Sequence, residues 1–445
     1  VRTSRALLLA VAALVAAAAV PVPAGAAPAS PEFRYVDEDD DAAAAKLLDP
    51  LVKKYGSPAR CAELLKILRK RPYPAKVDDV QTNEWTCPDG KKRQFTILAP
   101  RKASAAKPAG LLIFLHGAVR QPAPGGGAGE ASQIAMPVVR DLDFAVIGPS
   151  TFDGVEWGNP ACRALVHHAL RTAKRQFPVD ENRVYLAGDS DGGRGAYNIA
   201  ETEAGALAAA VPVIGSPGGV TRFANLRNLP WFAINGENDS IFDVTHVREA
   251  VDGMKASGID LQWKLVEKGA HDPFFFVKFR EEVVAFLKAH VRDPFPRTVH
   301  WTLDPSRGDP PGAYLADTFR WIRIDAAGAA ASSASFEDAS TGLLRADLPR
   351  IEAKRDGNRI DVRTSGVTRY SVLVAAEMLD LKKDVEVRTN GKLSFLGKVE
   401  PDARVILEEA RRFLDDSLLF VNRIAVDVDA AELVPPEAPA PPEGR

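Results

Sequence analysis

The sequence predicts an α/β fold, a mostly parallel, doubly wound sheet followed by a smaller, mainly β C-terminal domain. Three observations point there. Between Phe95 and Val291, short apolar runs alternate with amphipathic stretches. Those runs are apolar throughout, as strands are when helices cover both faces of a parallel sheet. Beyond Pro296 the pattern changes to short β-like runs separated by turn residues.

The elements follow in order. Residues 1–27 read as a signal peptide: Arg2 and Arg5, an apolar run from Ala6 to Val20, then Ala24-Gly25-Ala26. The run is shorter than the roughly 20 residues a spanning helix needs. A secreted or periplasmic location is therefore expected, with no stable membrane insertion after cleavage. Residues 28–94 form an N-terminal extension, in which "EFRYVDEDDDAAAAK" is expected to be mobile and Leu47–Lys70 has helical spacing. The main domain, residues 95–295, opens with the strand in "KKRQFTILAP". Further strands are predicted at Leu111–Leu115, Phe144–Ile147, Val184–Ala187, Ala210–Ile214, Phe232–Ile234 and Leu261–Val266. Helices are predicted at Ile134–Leu142, Cys162–Phe177, Gly193–Glu203, Val244–Ser257 and Phe274–Val291.

Residues 296–431 form the β-rich accessory domain, with "RWIRID", "IEAKRDGNRIDVR", "YSVLVAA" and "VEVRTNGKLSFLG" as strands and "DARVILEEARRFLDD" as one helix. Asn390-Gly391 between two such runs signals a hairpin. Gly308–Pro311 and "AAGAAASSASF" read as loops, and residues 432–445 as a Pro-rich disordered tail.

Composition narrows the function. The 57 Lys and Arg nearly balance the 59 Asp and Glu, and no long basic run breaks the balance, so a nucleic-acid partner is excluded. Three cysteines leave a disulfide between Cys61 and Cys87 open, with Cys162 buried in a helix. No cysteine lies near a histidine at metal-ligand spacing. The glycines of "QPAPGGGAGE" read as a flexible rim; no Gly-Lys-Ser/Thr follows, as a phosphate-binding loop would require.

The chemistry concentrates in "RVYLAGDSDGGRGAYNIA". Gly188-Asp189-Ser190-Asp191-Gly192 joins a strand to a helix, the context a G-x-S-x-G nucleophile turn requires. A serine hydroxyl needs a base and an acid that orients the base. Of seven histidines, only His271 lies both after the serine and on a loop between a strand and a helix. The acid should follow the strand "PWFAING"; Asp239 is favoured there, with Glu237 and Asp243 left open. Asp243 would otherwise cap the next helix, and Asp272 the last one. Backbone donors for a developing oxyanion are expected from Asp191 and Ala118. Trp157, in "FDGVEWGNPA", either lines an acyl or leaving-group pocket or packs in the core.

"LLIFLHGA", "VDENRVYLAGDSDGGRGAY", "INGENDSIFD" and "GAHDP" resemble the α/β-hydrolase superfamily. They are most like secreted poly(3-hydroxybutyrate) depolymerase-like and feruloyl or acetyl-xylan esterase-like enzymes, with prolyl-oligopeptidase-like peptidases close by. The resemblance covers about Phe95 to Val291 and implies Ser190 as nucleophile, His271 as base and Asp239 as orienting acid. Asp191 departs from the uncharged residue such enzymes often carry after the nucleophile, and Arg194, one helical turn on, is expected to neutralise it. The function these residues predict is a serine hydrolase cleaving a small or polymeric carboxylic ester, with no metal or organic cofactor. A peptidase using the same residues, or an inactive fold whose β domain binds an envelope polymer, are the alternatives.

Overall fold

A computed structural model describes residues 30–74, 78–120, 126–305, 315–328 and 348–428. The expected signal peptide, the Gly308–Pro311 loop, most of "AAGAAASSASF" and the Pro-rich tail lie outside the described residues, as does part of the Gly-rich rim.

The main sheet has eight strands: β1 (Val80–Thr86), β2 (Lys92–Leu98), β3 (Ala109–Leu115), β4 (Ala145–Pro149), β5 (Val179–Asp189), β6 (Ala209–Val213), β7 (Trp231–Gly236) and β8 (Leu261–Val266). Their spatial order is β1-β2-β4-β3-β5-β6-β7-β8. β1 and β2 form an antiparallel hairpin, β2 runs antiparallel to β4, and every later pairing is parallel. β1 belongs to the stretch assigned above to the N-terminal extension. Its sequence, "VQTNEWT", is polar and only partly buried, so it carries no apolar run to announce a strand.

Successive side chains of a strand point to opposite faces, and β3 shows the result. Leu111, Ile113 and Leu115 enter one hydrophobic cluster with helices Pro160–Gln176 and Asp191–Glu203. Leu112 and Phe114 enter another with helix Arg280–Ala289. The expected helix over Phe274–Val291 is two, Phe275–Lys278 and Arg280–Ala289, and Leu47–Lys70 likewise divides into Asp41–Tyr55 and Pro58–Leu68. At the second break Ser57 caps the new helix and Pro58 occupies its first turn, where a missing N–H costs nothing.

The C-terminal segment forms two sheets. Four strands lie in the order Thr318–Phe319, Ile322–Ala327, Val367–Val374, Asn422–Asp427, and five in the order Lys392–Gly397, Val385–Thr389, Arg359–Ser365, Arg350–Asp356, Thr298–Thr302. Asn390 and Gly391 both have positive φ between the paired strands Val385–Thr389 and Lys392–Gly397, as the tight hairpin demands. Val299, Trp301, Ile322 and Val372 from these sheets share one cluster with Leu165 and Ile199 of the main domain. The two regions therefore share a continuous apolar core.

The acidic lead-in, expected to be mobile, is folded into packed helices. Residues Pro31–Val36 and Asp41–Tyr55 are helical, and they pack with helix Pro58–Leu68 on helix Ala403–Phe413. Its carboxylates are paired: Asp39 with Arg175 at 2.6 Å and Asp37 with Arg71 at 2.8 Å. Cys61 and Cys87 are not bridged; all three cysteines are free and buried. Cys61 belongs to this N-terminal helical cluster and donates to the Tyr55 carbonyl, whereas Cys87 belongs to the main core, so separate packing keeps them apart. No helix among the described residues is long and apolar enough to cross a membrane.

A buried ion pair fastens the C-terminal region to the main sheet. Arg292 Nη2 meets Asp415 Oδ2 at 2.7 Å, and Arg292 also donates to Asn182 Oδ1. Burial alone would raise the Asp415 carboxyl, but Arg292, Lys174 and the Ser417 hydroxyl hold it down at about 2. Asp415→Ala leaves Arg292 buried without its charge partner and is expected to cost about 3 kcal/mol, measured by urea unfolding at neutral pH. A depressed carboxylate stabilises the fold above its unfolded pKa and ceases to do so as pH falls through the folded one. The gap between wild type and variant should therefore narrow from about pH 4 to about pH 2.

Candidate active site

Three consecutive crossovers bring the site together at the carboxyl ends of β5, β7 and β8. Ser190 follows the last residue of β5 directly and stands at the start of helix Asp191–Glu203 with φ 54° and ψ −118°. That left-handed backbone is costly for any side chain and persists only where the surroundings enforce it. Here they do: the Ser190 N–H donates to the Val213 carbonyl at 3.0 Å, and Gly188 and Gly192 let the turn close. A Cβ on Gly192 would stand 1.9 Å from the Leu115 carbonyl oxygen, and one on Gly188 would stand 2.5 Å from that of Gly192.

His271 lies on the loop after β8. Its Nε2 is 2.9 Å from Ser190 Oγ, and its Nδ1 is 2.8 Å from Asp239 Oδ2. Asp239, on the loop after β7, has its side chain only 1% exposed, and its other oxygen accepts from the Ile241 and Phe242 amides at 2.8 and 2.9 Å. With Oδ1 so held, Oδ2 is left to the imidazole. The partners fix the ring's tautomer: Nδ1–H donates to the carboxylate, and Nε2 is free to accept the serine proton. Main-chain bonds from Asn238 N–H to the Gly269 carbonyl and from Glu237 N–H to the Val266 carbonyl tie the acid loop to the histidine loop. The other candidate acids are engaged elsewhere. Glu237 accepts from the Lys268 amide, Asp243 caps helix Val244–Ala256 through the Thr245 amide, and Asp272 accepts from the Phe274 amide.

The loop after β3 faces Ser190. Ala118, with φ 52°, is at its turn. Asp191 is the first residue of its helix, so its N–H has no partner within the helix. His116 shapes this loop although it precedes the serine: its Nδ1 is 2.6 Å from the Gly117 carbonyl, and its Nε2 accepts from the Thr151 amide at 2.9 Å. Burial holds His116 down at about 4, so the ring is neutral and can both donate and accept. Protonation would replace the Thr151 bond with two opposed N–H groups.

Two expectations need correction. Trp157 is 1% exposed; it packs in the core against Gly195, and its indole N–H donates to the His116 carbonyl at 3.1 Å. It supports the loop from beneath. Arg194 does not neutralise Asp191. The Asp191 carboxylate turns to accept from the Val119 amide at 3.2 Å, while the Arg194 guanidinium lies 5.2 Å over the Phe242 ring and 3.9 Å from Glu156. The Asp191 side chain thus braces the Ala118 loop.

The strand order, with a hairpin opening an otherwise parallel sheet and a serine on the turn after β5, is that of the α/β-hydrolase fold. No protein-family model and no curated protein matches the chain. Among solved structures it is similar to a thermostable esterase, 20% identical with a TM-score of 0.41 over 48% of this chain and 64% of that one. It is also similar to a ferulic acid esterase, 18% identical with a TM-score of 0.39 over 47% and 98%. A third is an S-formylglutathione hydrolase from Agrobacterium tumefaciens, 14% identical with a TM-score of 0.39 over 50% and 100%. The chain spans less than two thirds of the thermostable esterase's length.

Proposed function

We propose that this protein is a serine hydrolase that cleaves a carboxylic ester by acyl transfer. One observation carries the reading: the hydrogen-bonded chain Ser190–His271–Asp239, at 2.9 and 2.8 Å, on a strained turn at the carboxyl end of a central strand. As Ser190 Oγ attacks the carbonyl carbon, its proton passes to His271 Nε2. Asp239 holds the ring in orientation and stabilises the imidazolium. The oxyanion forms against the Asp191 and Ala118 amides. Collapse expels the alcohol, which takes the proton from His271, and leaves Ser190 acylated. A water molecule deprotonated by His271 then attacks the acyl-serine and releases the acid.

The residues around the triad favour a substrate with an apolar part. Phe242 stacks on His271 with ring centroids 5.9 Å apart, and Ile241 and Phe274, on the acid and histidine loops, are 65% and 51% exposed. An export route for such an enzyme is proposed from the charged, apolar and small-residue pattern of residues 1–27 alone. The test is labelling of the folded protein with a fluorophosphonate, followed by peptide mapping. Modification at Ser190 is expected; a folded wild type that takes up no label would refute the mechanism.

A further inference from the structure

Behind the oxyanion loop lies a second pair of carboxyl groups that acyl transfer does not use. Asp189, the last residue of β5, is 3% exposed and immediately precedes Ser190. Glu130 ends the short helix Gly126–Glu130, and its Oε2 accepts from the Gly117 amide at 3.1 Å. Gly117 is wedged among these groups: a Cβ there would stand 2.9 Å from Asp189 Oδ2 and 3.0 Å from Ser190 Cβ. Asp189 Oδ1 is buried and meets no amide or hydroxyl donor among the described residues. Glu130 and Asp189 meet at Gly117, so a hydrogen bond between their carboxyls would supply the donor that Asp189 lacks.

Two carboxylates cannot make that bond; one of them must carry a proton. The surroundings select Glu130. Burial first, then the charge of Asp189, push its carboxyl far up, and only the Gly117 amide opposes them. Asp189, also raised by burial, is drawn back by Glu130 and His271, with Asp191 pushing the other way. Neutral His116 flanks Gly117 on the same loop and adds no charge. One oxygen of Glu130 thus serves the loop amide while the other carries the proton toward Asp189.

We propose that Glu130, protonated at working pH, is a positioning residue that clamps the Gly117–Ala118 oxyanion loop to the Asp189–Ser190 turn, and that its ionisation sets an alkaline limit on the reaction. Loss of that proton replaces the clamp with two adjacent negative charges, the Asp189 one fully buried. They repel, and the loop amide separates from the serine. Glu130→Gln keeps both hydrogen bonds, since the amide group donates to Asp189 and its oxygen accepts from Gly117, but it cannot ionise.

The inference rests on Ser190 being the nucleophile, and the experiment separates the two claims. The rate of fluorophosphonate labelling is followed on the full chain from neutral into alkaline pH, with folding checked by circular dichroism. The infrared spectrum of each protein is recorded alongside for the carbonyl band of a buried carboxylic acid. Wild type should label, then lose rate at alkaline pH in step with loss of the acid band. Glu130→Gln should label within about threefold of wild type at neutral pH, lose the part of the band that fades in step with the wild-type rate, and keep its rate at alkaline pH. Glu130→Ala, with the clamp gone, should label about a hundredfold more slowly at every pH. An unlabelled wild type that still shows the acid band would refute the nucleophile and leave the shared proton standing. A wild type without the band, one with no alkaline fall, or a Glu130→Gln variant with an unchanged fall, would overturn the inference. If Glu130→Gln does not fold, the wild-type comparison of band and rate decides.

Discussion

Ser190→Ala is expected to lower kcat for an aryl ester by about 10⁵-fold to 10⁶-fold while leaving the thermal unfolding midpoint close to wild type. The expectation follows from the geometry: Oγ is the only atom removed, and among the described residues its polar contact is His271 Nε2 at 2.9 Å. His271→Ala should cost a similar factor, because a serine hydroxyl at its ordinary pKa is a poor nucleophile once no base accepts its proton. The sharper result lies in the double variant. If the two residues act as one unit, Ser190→Ala/His271→Ala should be no slower than either single variant, with the remaining rate coming from binding and the amides of Ala118 and Asp191. Additive losses would mean that the residues serve separate steps. Steady-state kinetics on the four proteins, with enzyme purity checked against trace wild type, decides between them.

Why the positions of these residues could be read from sequence, and those of others could not, has a physical basis. A strand covered on both faces must be apolar throughout, so β3, β6 and β7 announce themselves as "AGLLIFL", "AAVPV" and "WFAING", all buried. Once the strands are placed, Ser190, Asp239 and His271 fall at the carboxyl ends of three of them, and short loops leave them little freedom to be elsewhere. β1 lacks that mark because an edge hairpin strand needs no second apolar face. Helices Asp41–Tyr55 and Pro58–Leu68 could be recognised by spacing, but nothing local says that their apolar faces meet helix Ala403–Phe413, some 340 residues later. Direction of approach is equally hidden. Arg194 sits one turn from Asp191, yet the carboxylate turns toward the Val119 amide and the guanidinium toward Phe242. Glu130 lies beside a Gly-rich run with no periodicity, and only the folded chain places it beside Asp189.

Gly192→Ala should be the most damaging single-methyl change in the site, because the added atom meets backbone and not a side chain that could rotate away. The new Cβ would stand 1.9 Å from the Leu115 carbonyl oxygen, 2.5 Å from its carbon and 2.8 Å from the His116 oxygen. Relief requires either β3 to retreat from β5, to which it is paired from Ala109 to Leu115, or the first turn of helix Asp191–Glu203 to lift off the sheet. The first course breaks the central ladder of the sheet. The second moves Ser190 away from His271 and takes the Asp191 carboxylate off the Val119 amide that it braces. A loss beyond about 4 kcal/mol is expected, large enough that the protein either fails to accumulate or unfolds well below the wild-type midpoint. Gly154→Ala makes a suitable control: a Cβ there meets nothing within 4 Å, so that variant should lose only what its φ of 79° costs an alanine, about 1 kcal/mol. Urea unfolding of the two variants beside wild type checks the contrast. Equal, small losses would mean that β3 and the serine turn are less rigidly opposed than their backbone contacts require.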